Sequence, residues 1–257
     1  MDSNRKTAIA AGLLFIAATA ASLLGTAIEP ALTGTDYLTR ISANMGRVSA
    51  GGLLELIAAG TSAGIAISLY PVLKRWSGTL ALGAVVFRAM EAAMYTLGAV
   101  SMLSLLKVAQ PFTQSAGTDH AWLQAIGDSL VAVRQEAILA GVFAFVVGAL
   151  MYYVVFFRSR LLPRWLSGWG IAGELLMLVA CLSALFSRNP VTSYTILILP
   201  IAAQEIVMAV WLIARGFSSA GIEPGIGARV RAADRDLAGM DGNRTHPGRL
   251  TAPRKRF

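Results

Sequence analysis

The chain has 257 residues, 56% of them hydrophobic and 14% charged, against roughly 25% charged in a soluble globular domain. A soluble fold of this length has room for a good core but not for several uninterrupted apolar runs of about 20 residues, so the solvent for this core is lipid. The net charge of +8 sits mostly in a tail, with nine Lys/Arg against four Asp/Glu in residues 215–257; such a segment beside a membrane helix sets topology or meets anionic lipid headgroups, and nucleic acid is not an expected partner.

Arg5 and Lys6 precede the first apolar run, 7–28. It is too long for the hydrophobic region of a signal peptide and further runs follow, so it reads as a retained helix. Five more runs meet the length and polarity of a spanning helix, at 48–73, 79–106, 130–157, 165–186 and 192–214. Lipid-exposed backbone must satisfy its own hydrogen bonds, and the runs are too long for barrel strands. The expected fold is therefore all-α, a polytopic bundle of six transmembrane helices with almost no strand. The segments 29–47 and 107–129 read as long loops on one side, either of which would cover a cavity facing that side.

Eight basic residues flank one set of helix ends (Arg5, Lys6, Lys74, Arg75, Arg158, Arg160, Arg164, Arg215) and five the other (Arg40, Arg47, Lys107, Arg134, Arg188). The positive-inside rule then places both termini in the cytoplasm. The indole rings of Trp76, Trp165, Trp169 and Trp211 fall near the same cytoplasmic ends, as interfacial anchors do. Small residues crowd the first helices, among them Ala17, Ala18, Ala20, Ala21 and Gly25, and close helix packing explains them without a cofactor.

Five ionisable residues lie well inside the runs: Glu55, Arg88, Glu91, Glu174 and Glu205. A charge near the bilayer centre costs roughly 2.5–3.5 kcal/mol, so these side chains should face one another or water and converge on one site. Arg88 and Glu91 are three apart, on one helix face. One arginine cannot neutralise four carboxylates, so at least one glutamate is expected to hold a proton unless Arg47 or Arg134 reaches in. Each three-helix half carries one glutamate in its second helix and one in its third, the pattern an inverted repeat would leave.

Enzyme signatures are missing. The two histidines, His120 and His246, fall outside the runs, and there is no HExxH or Walker A sequence. The lone Cys181 forms no intrachain disulfide. No catalytic residue, metal or cofactor is expected. The chain divides into a membrane domain, 1–217, and a Gly/Arg/Pro-rich tail, 218–257, expected to be disordered. Asn243-Arg244-Thr245 within that tail resembles what antisense translation of a tRNA gene's T-loop yields, so the tail is expected to be a product of read-through.

Arg5-Lys6-Thr7-Ala8, Ala11-Gly12-Leu13-Leu14, Phe87-Arg88 with Glu91, Phe157-Arg158-Ser159 with Leu162-Pro163 and Leu166, Glu205 with Trp211-Leu212-Ile213, and Arg215-Gly216-Phe217 together resemble one family. It is the bacterial six-helix membrane proteins known as domain of unknown function 4386. The resemblance covers residues 5–217 and implies a multi-pass protein of the bacterial cytoplasmic membrane; Arg88, Glu91 and Glu205 fit its pattern, whereas Glu55 and Glu174 are not carried by the match. The expected function is an integral membrane protein of unidentified molecular role with an intramembrane Arg/Glu cluster, which either fixes helix packing or binds an unidentified ion or small molecule. The alternatives are a proton- or cation-linked transporter of a small solute and a membrane-embedded ligand-binding or sensor protein.

Overall fold

The computed structural model describes residues 3–115 and 118–218; these are helical apart from short turns, with no strand among them. In chain order the helices are α1 (Ser3–Ile28), α2 (Tyr37–Ala43), α3 (Met45–Leu73), α4 (Gly78–Phe112), α5 (Thr118–Ser159), α6 (Arg164–Ser187) and α7 (Thr195–Ala214), the last entered through a 3₁₀ turn, Val191–Tyr194. Six of them, all but α2, are long and apolar enough to cross a membrane, and the chain is a multi-pass membrane protein. The tail and its Asn243–Arg249 string lie outside the described residues.

Short turns make chain neighbours antiparallel neighbours in space. Each long helix packs on the one before and the one after, and α7 returns to α1, so the six close into a ring. The closure is built from the sequence. Gly12 lets α1 approach the α7 backbone, where a Cβ would stand 2.8 Å from the Ala209 carbonyl oxygen. Arg5 then caps α7, donating to the carbonyls of Leu212 at 3.2 Å and Ile213 at 2.5 Å, groups that a helix end leaves without intrahelical donors. Gly216 follows at φ 74°, in the left-handed region that ends helices without a Cβ penalty. That turn drops Phe217 onto Phe156, ring centroids 6.3 Å apart.

Lipid explains the outer surface. Phe186 is 83% exposed and Ile196 79%; in water each such side chain would forgo about 2 kcal/mol of burial. Inside, Phe15 of α1 meets Tyr152 of α5 across the ring, edge to face at 6.3 Å.

The structure departs from the expected boundaries at the side where α1 ends. Residues 107–129 are mostly helix: α4 continues to Phe112 and α5 starts at Thr118. At 42 residues α5 is about 60 Å long, twice the hydrocarbon thickness of about 30 Å, so this hairpin stands out of the membrane. Likewise 29–47 contains α2. Hydropathy reports the solvent around a segment rather than its conformation, and here a helix leaves lipid for water without unwinding. The projecting hairpin has its own apolar core, where Tyr37, Leu38 and Ile41 of α2 pack on Met102, Leu105, Ala109 and Phe112 of α4. Tyr37 also donates from its hydroxyl to Asp128 at 2.8 Å.

This outer cap predicts a separable loss. Ile41→Ala, at a fully buried position, removes about 2–5 kcal/mol from the cap. Limited trypsinolysis of the detergent-solubilised protein should then cleave faster at Arg40 and Arg47 while the six-helix fragment pattern is unchanged. Equal protection of variant and wild type would mean that α2 is held by something other than this core.

Candidate functional site

The five membrane ionisable residues form two groups. Arg88 and Glu91 on α4 make an ion pair at 3.1 Å, with side chains 2% and 3% exposed. Glu174 of α6 is within electrostatic reach of Glu205, Arg88 and Glu91, and Arg88 in turn feels Glu91, Tyr152, Glu205 and Glu174. Glu55 is elsewhere. It accepts two hydrogen bonds from Arg134 of α5, at 2.8 and 2.5 Å, so the five residues do not converge on one point. Arg134 does reach into the bundle, and the comparable placement of Glu55 and Glu174 along their runs ends in unlike surroundings.

The inner group is assembled from several helices. Gly148 of α5 allows α4 to come close at Arg88: a Cβ there would stand 3.2 Å from Arg88 Cγ and 3.3 Å from its backbone nitrogen. The guanidinium lies over the Phe145 ring, 4.7 Å from its centroid, a placement that favours a cation. Thr19 of α1 donates to Glu205 Oε2 at 3.3 Å. Ser62 of α3 faces Glu91 without closing a bond of proper geometry. Tyr153 donates to Gln204 Oε1 at 2.6 Å, and Gln204 donates to the Leu166 carbonyl at 3.0 Å, so the residue before Glu205 ties α7 to α5 and α6.

What separates this group from ordinary packing is how little of it is hydrogen-bonded. Both carboxyl oxygens of Glu174, which is 0% exposed, are buried with no hydrogen-bond partner, as are Glu205 Oε1, Glu91 Oε2, Arg88 Nε and Nη1 and the Tyr152 hydroxyl. The Arg88–Glu91 contact is therefore coulombic and misaligned for a hydrogen bond. Burying a polar group without a partner costs roughly 1–3 kcal/mol, and more for a charge. Such a collection of donors and acceptors suits small polar occupants and protons.

The second group is nearly complete in its bonding. Arg134 donates to Glu55, to Glu29 Oε2 at 2.8 Å and to the Gly98 carbonyl at 3.0 Å, joining α5 to α3, to the end of α1 and to α4. Breaking a buried pair of this kind costs about 3–5 kcal/mol, so the group is a structural clamp beneath the outer cap. Sequence reasoning passed over Glu29, as a loop acid, and Thr19, Ser62, Tyr152 and Gln204. Their one visible signal is a polar atom inside an apolar run. Among the described residues no cluster of His, Cys, Asp and Glu has the makings of a metal site.

The family described as a domain of unknown function (DUF4386) matches residues 10–216, and the chain belongs to that family. No curated protein and no solved structure matches the chain.

Glu29, just past the end of α1, carries a testable pH dependence. Burial pushes its carboxyl up from an ordinary 4.5 to about 7; Arg134 pulls it down and Glu55 adds to the rise. The folded protein thus binds this proton more tightly than the unfolded chain. Its contribution to stability is fully present below pH 4.5 and is lost as pH rises through about 7. The melting temperature in detergent should fall across that window, and Glu29→Gln should remove the fall. An equal fall in the variant would assign it to another group.

Proposed function

We propose that this member of a family of unknown function is a proton-linked membrane transporter in which Glu174 and Glu205 take up and release the proton and Arg88 is the fixed countercharge. One observation carries the reading: Glu174 is sealed in the interior with neither carboxyl oxygen hydrogen-bonded. A carboxylate so placed is costly, and the single guanidinium is shared with Glu91 and Glu205. The surplus negative charge is met by a proton or a small cation.

The carboxyls stand on three helices, so sliding α7 against α6 alters how strongly each feels Arg88. Pro200 lies inside α7 one turn before Gln204 and deprives that helix of a backbone hydrogen bond to Ile196. α7 therefore has a weak point beside the cluster, as helices that move in membrane transporters do.

Infrared difference spectroscopy across a pH jump tests the proton role. Wild type should show the carbonyl band of a protonated carboxyl, shifted in heavy water, and Glu174→Gln or Glu205→Gln should each delete part of it. In proteoliposomes both variants should slow proton-driven flux at least tenfold. A spectrum without any protonated carboxyl would sink the proposal. A cluster that only packs helices predicts another pattern: Arg88→Met lowers folded yield, and adding Glu205→Gln restores it.

The same proposal places the chain in the bacterial cytoplasmic membrane with the Arg5 and Arg215 ends inside. In support, those helix ends carry eight basic residues and, among the described residues, no acid, while Glu29, Asp36, Asp119 and Asp128 lie towards the opposite side. Cys181, the sole cysteine, is buried, which leaves a clean background for labelling. An impermeant maleimide should modify Thr113→Cys in intact cells; labelling only after lysis would invert the topology.

A further inference from the structure

At the basic end of the bundle the α5–α6 turn and the end of α7 border an open cavity of about 410 Å³, and three of its lining residues are Arg160, Arg164 and Arg215. We infer that this cavity is a binding site for the headgroup of an anionic phospholipid, with a headgroup of two phosphates preferred over one of a single phosphate.

The chemistry of the wall points to phosphate. All three arginines are exposed, and among the described residues none of them forms an ion pair. Among the described residues no acid lies at this end. The α7 terminus does not need them either, because Arg5 already donates to the carbonyls of Leu212 and Ile213. Two of the guanidinium groups are steadied by aromatic rings, Arg164 over Phe157 at 5.6 Å and Arg215 over Trp211 at 6.0 Å. Guanidinium groups held this way bind phosphate oxygens through paired N–H donors, and three positive charges suit a dianionic headgroup better than a monoanionic one.

The backbone adds a second indication. Arg160, the first residue after α5, has φ 59°, a left-handed conformation that glycine adopts freely and a long side chain does not. Arg188 shares that conformation at the opposite end of α6, but Arg160 alone of the two lines this cavity.

Depth and shape point to a lipid rather than a soluble phosphate. Trp165 and Trp211 meet edge to face at 6.3 Å beside the cavity, and paired indoles mark the headgroup layer. Pro163 and Trp211 give the cavity its accessible apolar wall, with Leu161 and Leu162 fully buried behind it. Ser218 donates its N–H to the Leu161 carbonyl at 2.9 Å, which pins the strand of chain after α7 across the α5–α6 turn. An apolar wall beneath an arginine rim matches the start of an acyl-glycerol beneath its phosphates, as in basic pockets between transmembrane helices.

Native mass spectrometry of the delipidated protein in detergent tests this with four probes: tetraoleoyl cardiolipin, dioleoyl phosphatidylglycerol, dioleoyl phosphatidylcholine and inorganic phosphate. Wild type should retain cardiolipin at least tenfold more tightly than phosphatidylcholine, with phosphatidylglycerol between them and inorganic phosphate unbound. Arg160→Gly removes a guanidinium while relaxing the backbone, so it should fold with an unchanged or higher melting temperature and still lose the cardiolipin preference. Arg164→Gln with Arg215→Gln should lose it too. Lys6→Gln with Lys74→Gln and Arg75→Gln, the same face with the cavity intact, should keep it. If that control loses the preference equally, the attraction is diffuse surface charge and the site does not exist. Phosphate binding as tight as lipid binding would make it a soluble-phosphate site and overturn the lipid assignment.

Discussion

One guanidinium and three carboxyl groups share the interior of a ring whose outside is solvated by lipid, and the orientation of the helices follows from keeping them there. A charge turned toward acyl chains costs roughly 2.5–3.5 kcal/mol, more than one poorly packed apolar contact returns. Arg88 and Glu91 thus decide which face of α4 is internal, Glu174 decides it for α6 and Glu205 for α7. Their neighbours agree: Gly148 and Phe145 of α5 accommodate the arginine, and Thr19 brings α1 to Glu205.

The two polar groups solve the same problem in different ways. Around Arg134 the donors and acceptors are largely matched, with two glutamates and a backbone carbonyl taking up the guanidinium. A satisfied network in a low dielectric rigidifies what it joins, and this one joins four helices under the outer cap. Around Arg88 the atoms are close but unmatched, which leaves chemistry unspent.

The two ends differ as much as the two clusters. At one end a second apolar core continues α4 and α5 into water and seats α2 on them. At the other end the described inter-helix turns are four residues long, beside an indole pair and arginines that form no ion pair among the described residues. Arg5, Gly216 and Phe217 close the ring there. The motifs at the two ends of residues 5–217 are thus the parts that hold α1 to α7, and they concern architecture rather than chemistry.

Six apolar runs, their helical state and their approximate limits were legible in the amino-acid order, because lipid leaves the backbone no alternative to its own hydrogen bonds. So was the membership of Arg88, Glu91, Glu174 and Glu205 in a polar interior, because charges inside such runs have nowhere else to go. Depth and partnership were not. That Glu55 belongs with Arg134 and Glu29 rather than with Arg88 depends on how far each helix is rotated and raised against its neighbours. Nor do the ends of the apolar runs show where α4 and α5 stop. Local sequence sets the solvent a residue requires; only packing across the ring chooses which residue, one or two helices away, will supply the opposite charge.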